Sequence, residues 1–346
     1  MAQPMDLQAM LAKLNQPAFF VKDGAITACN RAAAQRMLEP GMAMCDLLLS
    51  DPEDYASFTQ GCLYLSVCVA GSCYRCTVTK LQDQELFVIE NADTDNELQV
   101  LALAAKQLRI PLSEITLELG RLSDNDKITK LIHQVYKLQR LIGNMSDAAE
   151  MSRAKPRMLL EEICGIFEET LEKAKTYLAH SGITLQYKLP QQPIFTLADR
   201  HMLARAIYNL LSNAAKFSDA ECLIDAALSR SGNRILFTVC TKPSALSSIE
   251  LSTMFHRYKR EPGLEDPRFG MGLGMTMIHT AATAHGGTVL VEQPDDVLRV
   301  TFTMAVKTSH DGTVRSPILL PDIYGGMDQA LIELSDVLPT ELYKNL

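Results

Sequence analysis

The sequence predicts a multidomain α+β protein, and three observations predict it. Short strand-like runs with turn signals fill the first ninety residues, two long amphipathic helical stripes follow, and the remainder alternates helices with strands that return on one another. The expected units are a small α+β domain over residues 1–94, an antiparallel helical hairpin over 95–155, a two-layer α/β sandwich over 156–306, and a linker with a short C-terminal helix over 307–346. A chain of 346 residues, 47% hydrophobic and 21% charged, has the size and balance for two or three buried cores.

In the first unit, QPAFFVKDGAITACN holds two apolar runs around Asp23-Gly24, a hairpin-turn dipeptide. Asn30 is placed to cap a helix with Ala33, Met37 and Leu38 at helical spacing. After the Pro40-Gly41 and Asp51-Pro52 breaks, CLYLSVCVA, SCYRCTVTK and ELFVIE read as a three-stranded meander. In the second unit, Leu98, Leu101, Leu103, Ala105, Leu108, Leu112, Ile115 and Leu119 form one helical stripe, which Pro111 should kink. Gly120 and Ser123-Asp124-Asn125-Asp126 mark a turn, and Ile128, Leu131, Val135, Leu138, Ile142 and Met145 form the second stripe. A hairpin cannot bury both stripes alone, so a homodimeric four-helix bundle through residues 95–150 is expected.

The third unit reads as a helix through Leu159–Ala179, the strand GITLQYKL and a helix from Asp199 to Phe217. The strands CLIDAALS and RILFTVCT follow, then a loop, a helix after Gly274, and two closing strands. In the tail, TSHDGTVRSP reads as a linker. GGMDQALIELSDVLP places Leu331, Leu334 and Leu338 on one face of a helix stopped by Pro339, either docked on its own domain or offered to a partner.

Charge and cysteines narrow the function. With 33 Lys and Arg against 41 Asp and Glu, the formal charge of −8 argues against sequence-independent binding to nucleic-acid phosphates. No run is long enough to span a membrane and MAQPMDLQAM has no leader signal, so a cytoplasmic location is expected. Reduced thiols follow, and Cys29, Cys45, Cys62, Cys68, Cys73 and Cys76 are expected as core hydrophobes rather than disulfides. Cys73-x-x-Cys76 also admits a metal or redox reading. On the strand SCYRCTVTK, however, residues three apart face opposite ways and do not share an ion.

Two segments carry chemistry. In DRHMLARAIYNLLSNAAKFS, Asn209, Asn213 and Lys216 fall at i, i+4 and i+7 beside the stripe Leu203, Ile207, Leu210, Leu211 and Ala214. An amide oxygen there can ligate Mg²⁺ and the lysine can meet phosphate; the alternative is an ordinary solvated flank. Gly270-Met-Gly272-Leu273-Gly274 opens a helix ending at Gly286-Gly287, and glycines before a helix start let backbone N–H groups approach phosphate, although they also build ordinary turns. His133, His201, His279 and His285 are expected at the surface or at helix C-termini.

In this order, NLLSNAAKFS, FHRY at 255–258, GMGLGMTMI and AHGGTVLVE resemble the asparagine box, phenylalanine box and second glycine box of the histidine-kinase ATP-binding domain, a relative of the gyrase, Hsp90 and MutL-type ATPases. KQLRIPLSEI resembles the histidine box of the dimerisation and phosphotransfer hairpin, and the first unit resembles a PAS sensor domain in the order of its elements, an unrelated α+β domain being the alternative.

The resemblance implies an ATP and Mg²⁺ site with Asn213 as metal ligand, Lys216 on phosphate, and Asn209, Thr241, Arg257, Gly270, Gly272, Leu273 and Gly274 around the nucleotide. Asn209 stands where the hydrolases of this group carry a Glu, so rapid hydrolysis is not expected. Two departures follow from the same comparison. Lys106 occupies the phosphoacceptor His slot with Gln107 beside it, and a protonated amine has no lone pair for a γ-phosphate. Thr241, Pro243 and Ala245 replace the Asp-x-Gly-x-Gly box, and Val300 replaces a Thr, so the adenine side departs while the phosphate side is kept.

The implied function is a cytoplasmic two-component sensor protein, ATP-binding and impaired in autophosphorylation, with a response regulator or a partner kinase as partner and no DNA or membrane contact. The alternatives are a non-catalytic scaffold and a protein-serine kinase of the anti-sigma type.

Overall fold

The computed structural model describes residues 16–44, 48–49, 52–69, 72–81, 84–89, 126–150, 156–218, 222–242, 273–294, 297–307 and 327–344, with isolated positions at 11, 14, 108, 112, 115 and 119. It is an α+β protein.

The N-terminal part runs β1 (Ala18–Lys22), β2 (Ala25–Cys29), α1 (Arg31–Ala34), β3 (Leu48–Leu49), α2 (Pro52–Ser57), β4 (Cys62–Val69), β5 (Ser72–Leu81) and β6 (Gln84–Ile89). Asp23 and Gly24 both take positive φ, 51° and 75°, which closes the expected tight hairpin. Asn30 caps α1 by accepting from the Ala33 N–H at 2.9 Å. The helix stops early because Met37 takes φ 62°; it is 70% exposed, while Ala33 and Leu38 are fully buried, so Met37 leaves the expected apolar face. Cys68 corrects a second expectation. It is disulfide-bonded, and it sits opposite Cys73 in the β4–β5 register.

Next come α3 (Asp126–Glu150), β7 (Leu159–Glu162), α4 (Ile163–Ala179), β8 (Thr184–Lys188), β9 (Phe195–Ala198) and α5 (Arg200–Lys216). They are followed by β10 (Leu223–Ser231), β11 (Arg234–Thr241), α6 (Leu273–Ala284), β12 (Val289–Glu292), β13 (Leu298–Ala305), α7 (Gln329–Glu333) and a 3₁₀ turn (Thr340–Tyr343). The expected helix over Leu159–Ala179 begins four residues late. Glu162 caps it, accepting from the Cys164 and Gly165 N–H groups at 2.9 and 2.6 Å, and Leu159–Glu162 instead pairs with β9, a strand the sequence pattern did not reveal.

Strands β12-β13-β11-β10-β8 form the sheet of the third unit, antiparallel except for β10 and β8. Alternation puts Ile235, Phe237, Val239 and Thr241 of β11 on the buried face, against α4, α5 and α6, and Phe167 of α4 meets Phe237 edge-on at 4.7 Å. The sheet does not end there. β12 pairs with β4 through Val289↔Tyr64, Leu290↔Leu63 and Val291↔Cys62, giving one 11-stranded sheet across both units. Gly61 permits the approach: it has φ +91°, and a Cβ there would lie 2.0 Å from the Val291 carbonyl oxygen. Successive β4 residues then serve two cores, Leu63, Leu65 and Val67 the N-terminal one and Cys62 and Tyr64 the other.

Helix α3 splits the stripe expected of it. Ile132, Val135, Tyr136 and Ile142 are buried, whereas Leu131, Leu138 and Leu141 are exposed, as are Leu108 and Ile115. Leu112 is half-buried and Leu119 packs against the main core, while the rest of the first stripe, with Pro111, and the TSHDGTVRSP segment after Lys307 lie outside the described residues. Among the described residues, no helix is long and apolar enough to cross a membrane.

Candidate functional site

Helix α5 is pinned at its start. The Asp199 carboxylate accepts from the His201 and Met202 N–H groups, both at 3.1 Å, and from the Arg157 N–H at 2.9 Å, while the Asp199 N–H donates to His285 Nε2 at 3.0 Å. With Leu203, Ile207, Leu210 and Leu211 buried, the adjoining face carries Arg205, Asn209, Ser212, Asn213 and Lys216. This is no solvated flank. Arg205 is 3% exposed, and Asn209 and Ser212 are fully buried.

Each polar group of that row has a named partner. Asn209 Nδ2 donates to the Arg205 carbonyl at 3.0 Å and to Glu333 Oε2 at 3.4 Å, while its Oδ1 accepts from Arg140 Nη2 at 3.4 Å. Arg140 on α3 also donates to Ser212 Oγ at 3.0 Å and to Asp336 Oδ2 at 2.6 Å. Lys216 Nζ meets the same Asp336 oxygen at 2.5 Å, and Arg205 pairs with Glu333 at 2.7 Å. Burial and the neighbouring Arg140 push the Lys216 ammonium below its ordinary value against the pull of Asp336. Burial opposes ionisation of Asp336, but Arg140 and Lys216 outweigh it and hold the carboxyl below the usual range.

Asn213 Nδ2 donates to Met275 Sδ at 3.1 Å. Beside it, Gly274 in the first turn of α6 comes so close that an added Cβ would be 3.0 Å from Asn209 Oδ1. The row adjoins an apolar cleft lined by Leu210, Phe217, Val239, Met275, Val291 and Val300, with Asn213 and Thr241 also in its wall. The cleft encloses about 10 Å³, room for one water. Thr241, 4% exposed, hydrogen-bonds through its hydroxyl to Ser218 Oγ. An amide oxygen such as that of Asn213 suits Mg²⁺, a hard cation that takes few protein ligands and completes its shell with phosphate and water. Among the described residues, no group of three or more His, Cys, Asp or Glu is placed to hold a metal by itself.

The C-terminal segment docks on its own chain. Asp328 caps α7 through the Ala330 N–H at 2.7 Å, and Leu331, Leu334 and Leu338 are all buried in the main core. Helix α7 ends before Pro339, which begins the 3₁₀ turn instead of stopping the helix. His133, His279 and His285 are buried, contrary to the surface expectation, although His285 Nδ1 does hydrogen-bond the Ala281 carbonyl at 2.7 Å like a helix cap. His133 stacks on Tyr343 at 4.4 Å, donates from Nε2 to the Ser335 carbonyl at 2.8 Å and accepts at Nδ1 from Thr340 at 3.1 Å. Its surroundings are structural. Burial lowers its pKa, only partly offset by the Ser335 hydrogen bond.

The structure thus places Asn213 and Thr241 in the wall of one cleft, Gly274 against Asn209 and Asn213, and Lys216 on Asp336. Lys106, Gln107, Arg257, Gly270 and Gly272 lie outside the described residues, as does the side chain of Leu273. Sequence reasoning missed Arg140, Arg205, Ser212, Glu333 and Asp336. One signal was legible: Arg205 extends the Asn209–Asn213 row by one more helical turn, and Glu333 and Asp336 are the only acids in the apolar run LIELSDVL.

Residues 198–308 match the family described as Histidine kinase-, DNA gyrase B-, and HSP90-like ATPase. Bacteriophytochrome of Pseudomonas aeruginosa is 25% identical over 247 residues, 68% of this chain and 33% of that protein. Adaptive-response sensory kinase SasA of Gloeothece citriformis is 26% identical over 217 residues, 56% of this chain and 53% of that one. The chain therefore spans between a third and about half of the length of these relatives. The crystal structure of full-length ShkA in complex with AMPPNP superposes with a TM-score of 0.51 at 20% identity, covering 61% of this chain and 46% of that one, which shows a shared fold. The class is thus an ATPase domain of the histidine kinase, gyrase and HSP90 type. Over those 217 residues, the chain is similar to a sensory kinase.

Proposed function

We propose that this chain is a two-component signalling protein that binds Mg²⁺-ATP through the unit at 156–306 and is impaired in autophosphorylation. The observation that carries it is the convergence of Asn209, Asn213 and Lys216 of α5 with Gly274 at the start of α6, beside an apolar slot with Thr241 in its wall. Asn213 would ligate Mg²⁺, Lys216 would meet phosphate, and the slot would take the base once it widens beyond one water. Bound ATP supplies the transferable phosphoryl group. Thr241 offers the base only a hydroxyl already engaged by Ser218, and Val300 offers it none, which supports weakened nucleotide binding. Lys106 supports loss of phosphotransfer at the hairpin.

The hairpin at 95–155 would dimerise the chain, and the unit at 1–94 would act as a PAS-like sensor. The exposed Leu108, Ile115, Leu131, Leu138 and Leu141 support dimerisation, since apolar side chains in such a row are ordinarily covered. A response regulator or a partner kinase would be the partner.

Calorimetry with ATP, with and without Mg²⁺, tests the reading: binding that strengthens with Mg²⁺ and is lost in Asn213→Asp is expected, and no heat in any condition would overturn it. Incubation with labelled ATP then separates a kinase from a scaffold. Acid-labile label on the wild type would remove the impairment, whereas its appearance only in Lys106→His would support it. In sedimentation, Leu138→Asp should give a monomer with unchanged thermal stability, because Leu138 is 46% exposed within the protomer. A wild-type monomer at micromolar concentration would end the bundle reading.

A further inference from the structure

Two cations from different units, Arg140 of α3 and Lys216 of α5, converge on a single oxygen, Asp336 Oδ2, at 2.6 and 2.5 Å. A buried polar row has to have its hydrogen-bonding groups met. Here the counter-charges come from the C-terminal segment: Glu333 on Arg205, and Asp336 on Arg140 and Lys216. Arg140 is 4% exposed, and its Nε has no hydrogen-bond partner among the described residues, the nearest carboxylate being Glu333 at 4.0 Å. Lys137 adds a third positive charge that acts on Asp336. Asp336 itself keeps a third of its side chain exposed, more than Lys216 at 15% or Arg140 at 5%.

We infer that Arg140 and Lys216 form a phosphoanion site which Asp336 of the C-terminal segment covers, so that docking of residues 327–344 and binding of a polyphosphate chain exclude each other. The inference rests on the nucleotide reading above and deepens it, by giving the hairpin a phosphate-side residue and the tail the role of a competing internal anion. The chemistry matches: a carboxylate and a phosphate oxygen are alternative acceptors for the same guanidinium and ammonium donors, and phosphate offers enough oxygens to take up Arg140 Nε as well. Only the charge is at stake at Asp336. The apolar anchors Leu331, Leu334 and Leu338 and the His133–Ser335 hydrogen bond also contribute to docking, so loss of the Asp336 charge weakens the cover without unfolding the segment.

The test uses the full chain, wild type and Asp336→Asn, with Mg²⁺-AMPPNP and with tripolyphosphate as separate probes. Binding is read by calorimetry and amide exchange is followed in peptides from 327–344. If the tail covers the site nine tenths of the time, Asp336→Asn should bind AMPPNP about tenfold more tightly. Saturating AMPPNP should also speed exchange in the wild-type tail. Equal or weaker AMPPNP binding by Asp336→Asn, with tail exchange indifferent to ligand, would overturn the inference and leave the nucleotide reading intact. Tail release by tripolyphosphate with no AMPPNP binding in either protein would support the inference and sink the nucleotide reading. No response to either probe would sink both.

Discussion

The charged end and the apolar end of the site beside α5 are built on opposite principles. Along the Asn209–Lys216 row, Arg140, Arg205 and Glu333 are buried and Lys216 and Asp336 are partly covered, and every ion pair among them joins residues far apart in sequence. At the Thr241 end, Leu210, Phe217, Val239, Val291 and Val300 close around about 10 Å³, and the one buried hydroxyl is satisfied by Ser218 next door. Hydrophobic contacts are non-directional and tolerate exchange, whereas buried charges hold only as a set. The charged end should therefore be brittle and the apolar end adaptable.

The largest effect is expected at the charged end. Glu333→Ala removes the carboxylate from Arg205 and leaves a fully buried pair half-made, so unfolding in urea should show a loss of ~3–5 kcal/mol. A loss under ~1 kcal/mol would mean that water or another group replaces Glu333 readily, and the contrast between the two ends would dissolve. At the apolar end, Thr241→Asp sharpens the contrast by moving a charge there. Stability should fall by ~1–3 kcal/mol, while ATP affinity measured by calorimetry rises through the carboxylate offered to the base. Lower stability with no gain in affinity would show that the base does not lie against residue 241.

Gly274 stands where the ends meet. In Gly274→Ala the new Cβ, 3.0 Å from Asn209 Oδ1, must displace a side chain held by Arg140 and Glu333, at a cost of ~1 kcal/mol or more seen as a lowered melting temperature. Paired with Asn209→Ala the cost should disappear, which a double-mutant cycle would read directly.

The smallest effect is on pH dependence. Burial lowers the pKa of His133 and His285, so below about pH 6.5 the unfolded chain takes up protons that the folded chain resists. Their stabilising contribution is complete above the ordinary histidine value and drains away as pH falls through the depressed folded values. The carboxyl of Asp336, also held low, adds its loss only below the ordinary aspartate value of 3.8. The urea midpoint should fall between pH 7 and pH 5, and less steeply in His133→Asn. Equal slopes in the two proteins would remove His133 from the linkage.

Much of this was legible in local pattern. The Asp23-Gly24 turn, the Asn30 cap, the strand RILFTVCT and the helix carrying the i, i+4, i+7 row all depend on residues within a turn or two of one another, and these stand as expected. What was not legible depends on partners distant along the chain. Leu159–Glu162 is a strand because β9 lies beside it, the sheet runs on from β12 into β4 because Gly61 leaves room, and three histidines are buried because helices and tail close over them. Periodicity marks a face as apolar or polar but does not say which element covers it. On α3 that decided between Val135, covered, and Leu138, exposed, on what read as one stripe. The sequence by itself determined the polar row and the glycine beside it, through helical spacing. Only the tertiary structure decided that Arg140, Glu333 and Asp336 fill that row, because ion pairs between residues 120 to 196 positions apart leave no periodic trace.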